Sequence, residues 1–282
     1  MPRPPAVKFP GYRVFDESRV EANDAMVALL VGSRLSSHLL EANAGSSAYL
    51  SEIYPAVRGI GRMYRTIDDT SQMLIEAERH LASMAIPYVW ATYEELVNSA
   101  VKLFEECRMG PTGAERHNGL PGLHSYLERV SSIEFESDAL ALAELVRRIR
   151  VCIIHNGGRI RADLVDEWNS LAPSARTAWV GFAGHDLDVT KENLELTDRE
   201  LVASLATTKW MARQISSLLV AALTAQDWSK AIVDDFLENY GRPLPGETRM
   251  LRRKVKGWVR MYYSATNATD SDIDSELLGR GL

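Results

Sequence analysis

Three observations predict an all-α protein: a helical bundle with a C-terminal two-helix appendage. Apolar residues recur every three or four positions along most of the chain. No stretch shows the sustained alternation that a half-buried strand needs. Breaks between the helical stretches are marked by glycine, proline and capping residues. With 46% apolar and 25% charged residues over 282 positions, the chain has material for one sizeable core or two small domains and is unlike a disordered one.

The elements follow in order. Met1-Pro2-Arg3-Pro4-Pro5 lacks the apolar stretch of a secretory signal and opens an N-terminal arm, expected to be flexible over residues 1–16. Residues 20–43 carry Met26, Leu29, Leu30, Leu35, Leu39 and Leu40 at helical spacing and stop before Gly45. A second helical stretch covers 49–83, with a kink expected at Pro55, and a third covers 88–106, stopped by Gly110-Pro111. Residues 107–122 read as a surface loop, followed by a short helix over 123–130. Ser137-Asp138 caps a central helix that Gly157-Gly158 ends. Residues 159–196 read as irregular, with a helical piece around 163–171 and a short hairpin within 180–196. Thr197-Asp198-Arg199-Glu200 is a capping-box pattern opening a helix to about residue 225. Two further helices, 228–240 and 247–263, form the appendage. The domain organisation is then an arm (1–16), a helical domain (17–225), a basic helical appendage (226–265) and a flexible acidic tail (266–282).

Charge is unevenly spread. Residues 242–263 hold Arg242, Arg249, Arg252, Arg253, Lys254, Lys256 and Arg260 against Glu247 alone, a local +6 in a chain of net −6. Such a face suggests one anionic partner rather than general nucleic-acid affinity. On a helix, Arg249, Arg253, Lys256 and Arg260 share a side opposite Leu251, Val255, Trp258, Val259 and Tyr262. The simple reading is a solvated basic face. The functional reading is a phosphate-tracking surface with Tyr263 or Arg252 placed for stacking. Docking onto an acidic partner is a third. The apolar run 215–225 falls well short of a bilayer span, so no membrane association is expected. Cys107 and Cys152 read as free thiols in a reducing cytoplasm.

Metal and nucleotide patterns fail. His38 and Glu41 share a face that nothing completes, and Asp68-Asp69 lacks a further carboxylate. His185-Asp186-Leu187-Asp188 reads as a polar turn. Gly59-Ile60-Gly61 lacks the later glycine of a dinucleotide fingerprint. His117 and His124 flank a glycine-rich loop and read as solvated. No metal or other cofactor is expected.

The most informative segment is Leu145 to Ile160, LVRRIRVCIIHNGGRI. Arg147, Arg148 and Arg150 lie on an otherwise apolar helix that ends at His155-Asn156. Three arginines within four positions there are costly unless they meet a cleft, an interface or acidic partners. Arg148 lies roughly 20° off the face of His155 and about 10 Å up the axis, and Arg150 about 140° round and about 7.5 Å away. Either side chain spans the gap to a phosphate near His155. Arginine is common in this chain, so the spacing alone is weak, and a histidine also suits a helix C-terminus electrostatically.

This segment resembles the signature of bacterial HEPN domain proteins: an Arg, four to six residues, then His, often followed by Asn. Arg150 with His155 matches the four-residue form, and Arg148 the six-residue form. The close resemblance covers about 16 residues. It implies an HEPN-like all-α bundle and a homodimer in which two Arg–His pairs face each other. It also implies metal-independent endoribonuclease activity in a toxin–antitoxin or antiphage defence setting, with an antitoxin or defence-system partner; the cytoplasmic location is expected from the free thiols. On that basis Arg150, His155, Arg148 and Asn156 are the expected catalytic set. Arg147, Arg249, Arg253, Lys256 and Arg260 are the expected RNA-binding set. Active members commonly carry Asn directly after the Arg, whereas Val151 stands there. The resemblance therefore leaves a second reading open, a catalytically inactive RNA-binding or dimerisation module.

Overall fold

The computed structural model describes residues 6–108, 118–241 and 248–282. Among these residues the chain is all-α, with eleven α-helices, one 3-10 turn at Ile60–Arg62 and no strand. The helices are α1 (Pro10–Glu41), α2 (Leu50–Ile53), α3 (Ile67–Arg108), α4 (Gly119–Ser131), α5 (Ser137–Asn156) and α6 (Ala162–Ser170). They continue with α7 (Pro173–Ala183), α8 (Asp198–Ala222), α9 (Ala225–Tyr240), α10 (Thr248–Tyr262) and α11 (Asp270–Gly279). The chain divides into two compact units: residues 1–18, 90–143 and 207–282, and residues 19–89 and 144–206.

The first unit is built on aromatic side chains. Trp90 and Tyr93 of α3, Trp228 and Phe236 of α9, and Phe9, Phe15 and Tyr263 are all buried. Residues 7–15, expected within a flexible arm, are packed instead. Val7 donates its N–H to Ser216 Oγ (2.7 Å) and Lys8 to the Tyr262 carbonyl (2.7 Å), and Pro10 starts α1. Proline suits a first helical turn because it has no N–H to leave unpaired. Gly11 lets α1 approach α3 closely, since a Cβ there would lie 2.3 Å from Ser99 Cβ. His124, expected as a solvated loop residue, is buried in α4, and its Nε2 lies 2.6 Å from the Tyr93 hydroxyl. Burial pushes the Tyr93 phenol well above its ordinary value, so it stays protonated. His117 lies outside the described residues.

Asp235 is the polar centre of this unit. It is 4% exposed, and its carboxylate accepts a two-pronged bond from Arg13 (2.9 and 2.6 Å). It also accepts from Trp258 Nε1 (2.8 Å) and the Tyr263 hydroxyl (2.8 Å). Helices α10 and α11 both pack on α9. The tail expected to be flexible is helical over Asp270–Gly279. A reciprocal Thr269–Asp272 capping box opens α11, and Ile273 and Leu277 are buried beneath it. Acidic composition hid two apolar anchors at helical spacing.

In the second unit, Leu40, Leu50 and Ile67 form a core cluster with Ile53, Tyr54 and Leu74 around it. Helix α3 runs on through the break expected between residues 83 and 88, with Pro87 inside it. Proline removes a helical hydrogen bond at a cost of about 3 kcal/mol, and burial of Ile86, Val89 and Trp90 around it offsets this. The hairpin expected within 180–196 is absent: residues through Ala183 belong to α7, and a single bridge, Arg159–Asn193, involves the segment that follows. The helical signal there is Ala175, Trp179 and Ala183, buried at spacings of four. Pro173 opens α7, and Gly184, at a φ of 80°, ends it. The capping box that opens α8 forms as expected, with Thr197 donating its N–H (2.7 Å) and hydroxyl (2.8 Å) to Glu200.

Both cysteines are free thiols. Burial, with Asp227 nearby, pushes the Cys107 thiol up to about 11, and burial also raises that of Cys152. Among the described residues no helix is long and apolar enough to cross a membrane.

Candidate functional site

The site is the C-terminal half of α5 and the turn after it, all within the second unit. Leu145, Val146, Ile149 and Cys152 are buried and fix the helix by their 3-4 spacing. Arg147, Arg148 and Arg150 emerge half-buried beside this stripe, while Ile154 and His155 are exposed on the last turn.

The cost of three clustered arginines is met largely inside the chain. Arg147 clasps Glu144 through Nε (2.6 Å) and Nη2 (2.5 Å). Arg148 bridges Glu144 (2.8 Å) and Asp163 of α6 (2.8 Å), and Arg161 also reaches Asp163 (3.2 Å). The cleft or interface that the sequence invites for these arginines is therefore not required for Arg147 and Arg148. The Glu144 hydrogen bond raises the Arg147 guanidinium further above its ordinary value. Asp163 feels desolvation upward, but the Arg161 hydrogen bond and the charges of Arg161 and Arg148 hold it below the ordinary carboxylate value. Glu167 moves the other way, raised by burial and by Glu144.

Arg150 and His155 stand apart from this network. Neither forms a hydrogen bond or ion pair among the described residues. Asn156 is engaged as a helix terminator, its side-chain amide donating to the Arg159 carbonyl (2.9 Å). Gly157 and Gly158 take φ values of 60° and 83°, the left-handed region that glycine enters without strain. Gly158 then donates back to the Cys152 carbonyl (3.0 Å). Its own carbonyl accepts from Leu194 N–H (2.8 Å), and Ile160 donates to the Glu192 carbonyl (2.9 Å). The turn under His155 is thus tied at both sides to residues 192–194.

The expected RNA-binding residues divide likewise. Arg147 is committed to Glu144, and Lys256 to Asp270 (2.9 Å). Arg249, Arg253 and Arg260 of α10 are exposed and form no ion pair among the described residues. The stacking roles considered for Tyr263 and Arg252 do not fit: Tyr263 is buried against Asp235, and Arg252 faces Asp274 at 3.7 Å.

One polar pairing escapes sequence reasoning. Glu200, 1% exposed, turns its second oxygen to His185 Nε2 at 3.0 Å, while His185 Nδ1 lies 2.8 Å from the Asp186 carbonyl. The capping box marks Glu200, but nothing near His185 in sequence signals the contact. His38, considered as a metal ligand, pairs with Glu41 at 3.0 Å.

Among the described residues the protein is all-helical, with an unpaired guanidinium, Arg150, and an exposed imidazole, His155, near one glycine-stopped helix end. No protein-family model matches the chain, and neither a curated protein nor a solved structure matches it.

Proposed function

We propose that this protein is a metal-independent endoribonuclease of HEPN type, acting through Arg150 and His155. The supporting observation is selective commitment: Arg147, Arg148 and Asn156 are held by internal partners, and Arg150 and His155 are left to meet a ligand. In the reaction, the RNA 2′-oxygen forms a bond to the adjacent phosphorus and the bond to the leaving 5′-oxygen breaks. His155 moves the proton, a task imidazole suits near neutral pH. The Arg150 guanidinium meets the charge on the phosphorane with forked hydrogen bonds, and the product carries a 2′,3′-cyclic phosphate. DNA lacks the attacking hydroxyl and is spared. Arg148 is the alternative cation, at the cost of breaking its bonds to Glu144 and Asp163. The resemblance of the α5 segment to HEPN proteins extends the reading to a homodimer with paired sites, within a toxin–antitoxin or antiphage defence system, and with an antitoxin or defence partner.

Val151 favours a second reading, an HEPN-like module that binds RNA or dimerises without catalysis, because the position after the Arg is commonly polar in active members. Incubation with RNA in EDTA separates the two. Cleavage by the wild type that falls by about 100-fold or more in His155→Ala supports the enzyme. RNA left intact at high protein concentration removes it, and equal cutting by His155→Ala moves the site elsewhere. Light scattering tests the dimer directly.

A further inference from the structure

Helix α10 has one side already spent. Leu251 and Val255 are buried, and Trp258 is anchored through its ring N–H to Asp235 of α9. That fixes which side faces outward, and Arg249, Arg253 and Arg260 stand on it, all exposed. Their spacings of four and seven residues hold them within about 40° of one another along roughly 16 Å of helix. Lys256 and Arg252 line one edge of this row, where Asp270 and Asp274 of α11 take them up. The acidic helix stops at that edge. Elsewhere in this acidic chain arginines meet carboxylates: Arg13 with Asp235, Arg148 with Asp163 and Arg280 with Asp234. Arg249, Arg253 and Arg260 have no such partners among the described residues, and what sets them apart is their alignment on one side of one helix.

We propose that the arginine row of α10 binds the phosphate backbone of single-stranded RNA. The proposal rests on the ribonuclease reading of the α5 end for the identity of the polymer as RNA. The chemistry of the row suits an anionic polymer: guanidinium forks pair with phosphate oxygens as they do with carboxylates, and the acidic helix beside the row takes only its edge. Leu251 and Val255 of α10 are buried, while Met250 and Met261 are exposed beside the row, so the vesicle arm of the test is what separates RNA from a lipid surface.

The test uses the full-length His155→Ala protein, a labelled oligouridylate of about 20 nucleotides and salt from about 50 to 200 mM, reading binding and not cleavage. Each phosphate contact adds about 0.7 to the slope of log affinity against log salt for a single strand. Arg249→Ala/Arg253→Ala/Arg260→Ala lowers that slope by about 2, while replacement of all three by lysine keeps most of it. Lys254→Ala, an exposed cation on another side of α10, leaves it unchanged. Equal binding by the triple alanine variant and its parent overturns the proposal, as does the absence of RNA binding at low salt. Tighter binding to polyglutamate, to phosphatidylserine vesicles or to the matching oligodeoxynucleotide overturns it too, each naming a different partner. Loss of the ribonuclease reading appears in the EDTA cleavage assay, so the two failures are separate results.

Discussion

Asp235 shows how much one side chain carries. Removing it strands the Arg13 guanidinium, the Trp258 N–H and the Tyr263 hydroxyl inside the first unit. Breaking a buried pair in this way costs about 3–5 kcal/mol, so Asp235→Ala is expected to unfold far below the wild type in a thermal melt. Asp163 is a milder case, with its side chain 29% exposed, and Asp163→Asn is expected to cost about 1 kcal/mol. Its sign with pH is set by its lowered value. The contribution is full above the ordinary carboxylate range and is lost as pH falls through the lower folded value. The stability gap between wild type and Asp163→Asn in urea therefore closes as pH drops from about 6 towards 2. Of these residues the sequence made Arg148 and Arg150 visible but not which would be spent. Glu144 lies one turn away and was readable as a partner, whereas Asp163 comes from another helix. Asp235, beside Asp234 in a helix that also holds Asp227 and Glu238, looks like any solvated carboxylate until the fold brings Arg13 to it.

Helices with strong period or strong stops were legible: α5 ends at its glycines, and α8 starts at its capping box. Helix α7 was missed because its buried stripe, Ala175, Trp179 and Ala183, contains only one large residue. Helix α11 is hard to read because two apolar anchors sit among aspartates, and α3 runs through the break expected between residues 83 and 88, Pro87 included, because packing outweighs the lost hydrogen bond. Two substitutions test what sets the elements. Gly158→Ala meets no atom within 4 Å, so its cost is the backbone's alone, about 1–2 kcal/mol, and it should loosen the end of α5 and lower any activity that depends on His155. Gly11→Ala presses a methyl against Ser99 and is expected to cost about 1–3 kcal/mol by driving α1 from α3. Chemical denaturation reads both, and Gly11→Ala should leave the α5 site untouched in a cleavage assay normalised to folded protein.

At the scale of the whole molecule, the two candidate sites lie in different units: Arg150 in one, and the α10 row in the other. Composition announced the second as a local excess of charge, but only the fold showed that Lys256 and Arg252 are already taken. The bipartite organisation itself was not legible, because each unit is assembled from separated segments and the passage between them falls inside α1, α3, α5 and α8. The two thiols, Cys107 half-buried and Cys152 buried, bear on how these regions can be watched. With Cys107 raised to about 11, roughly one molecule in ten thousand carries the thiolate at neutral pH, and Cys152 is shielded within α5. The native thiols are therefore expected to react slowly with alkylating dyes, and a single cysteine placed at exposed Ile154 or Met250 is expected to react faster. Each half of the chain can then carry its own fluorescent reporter without first stripping out the natural cysteines.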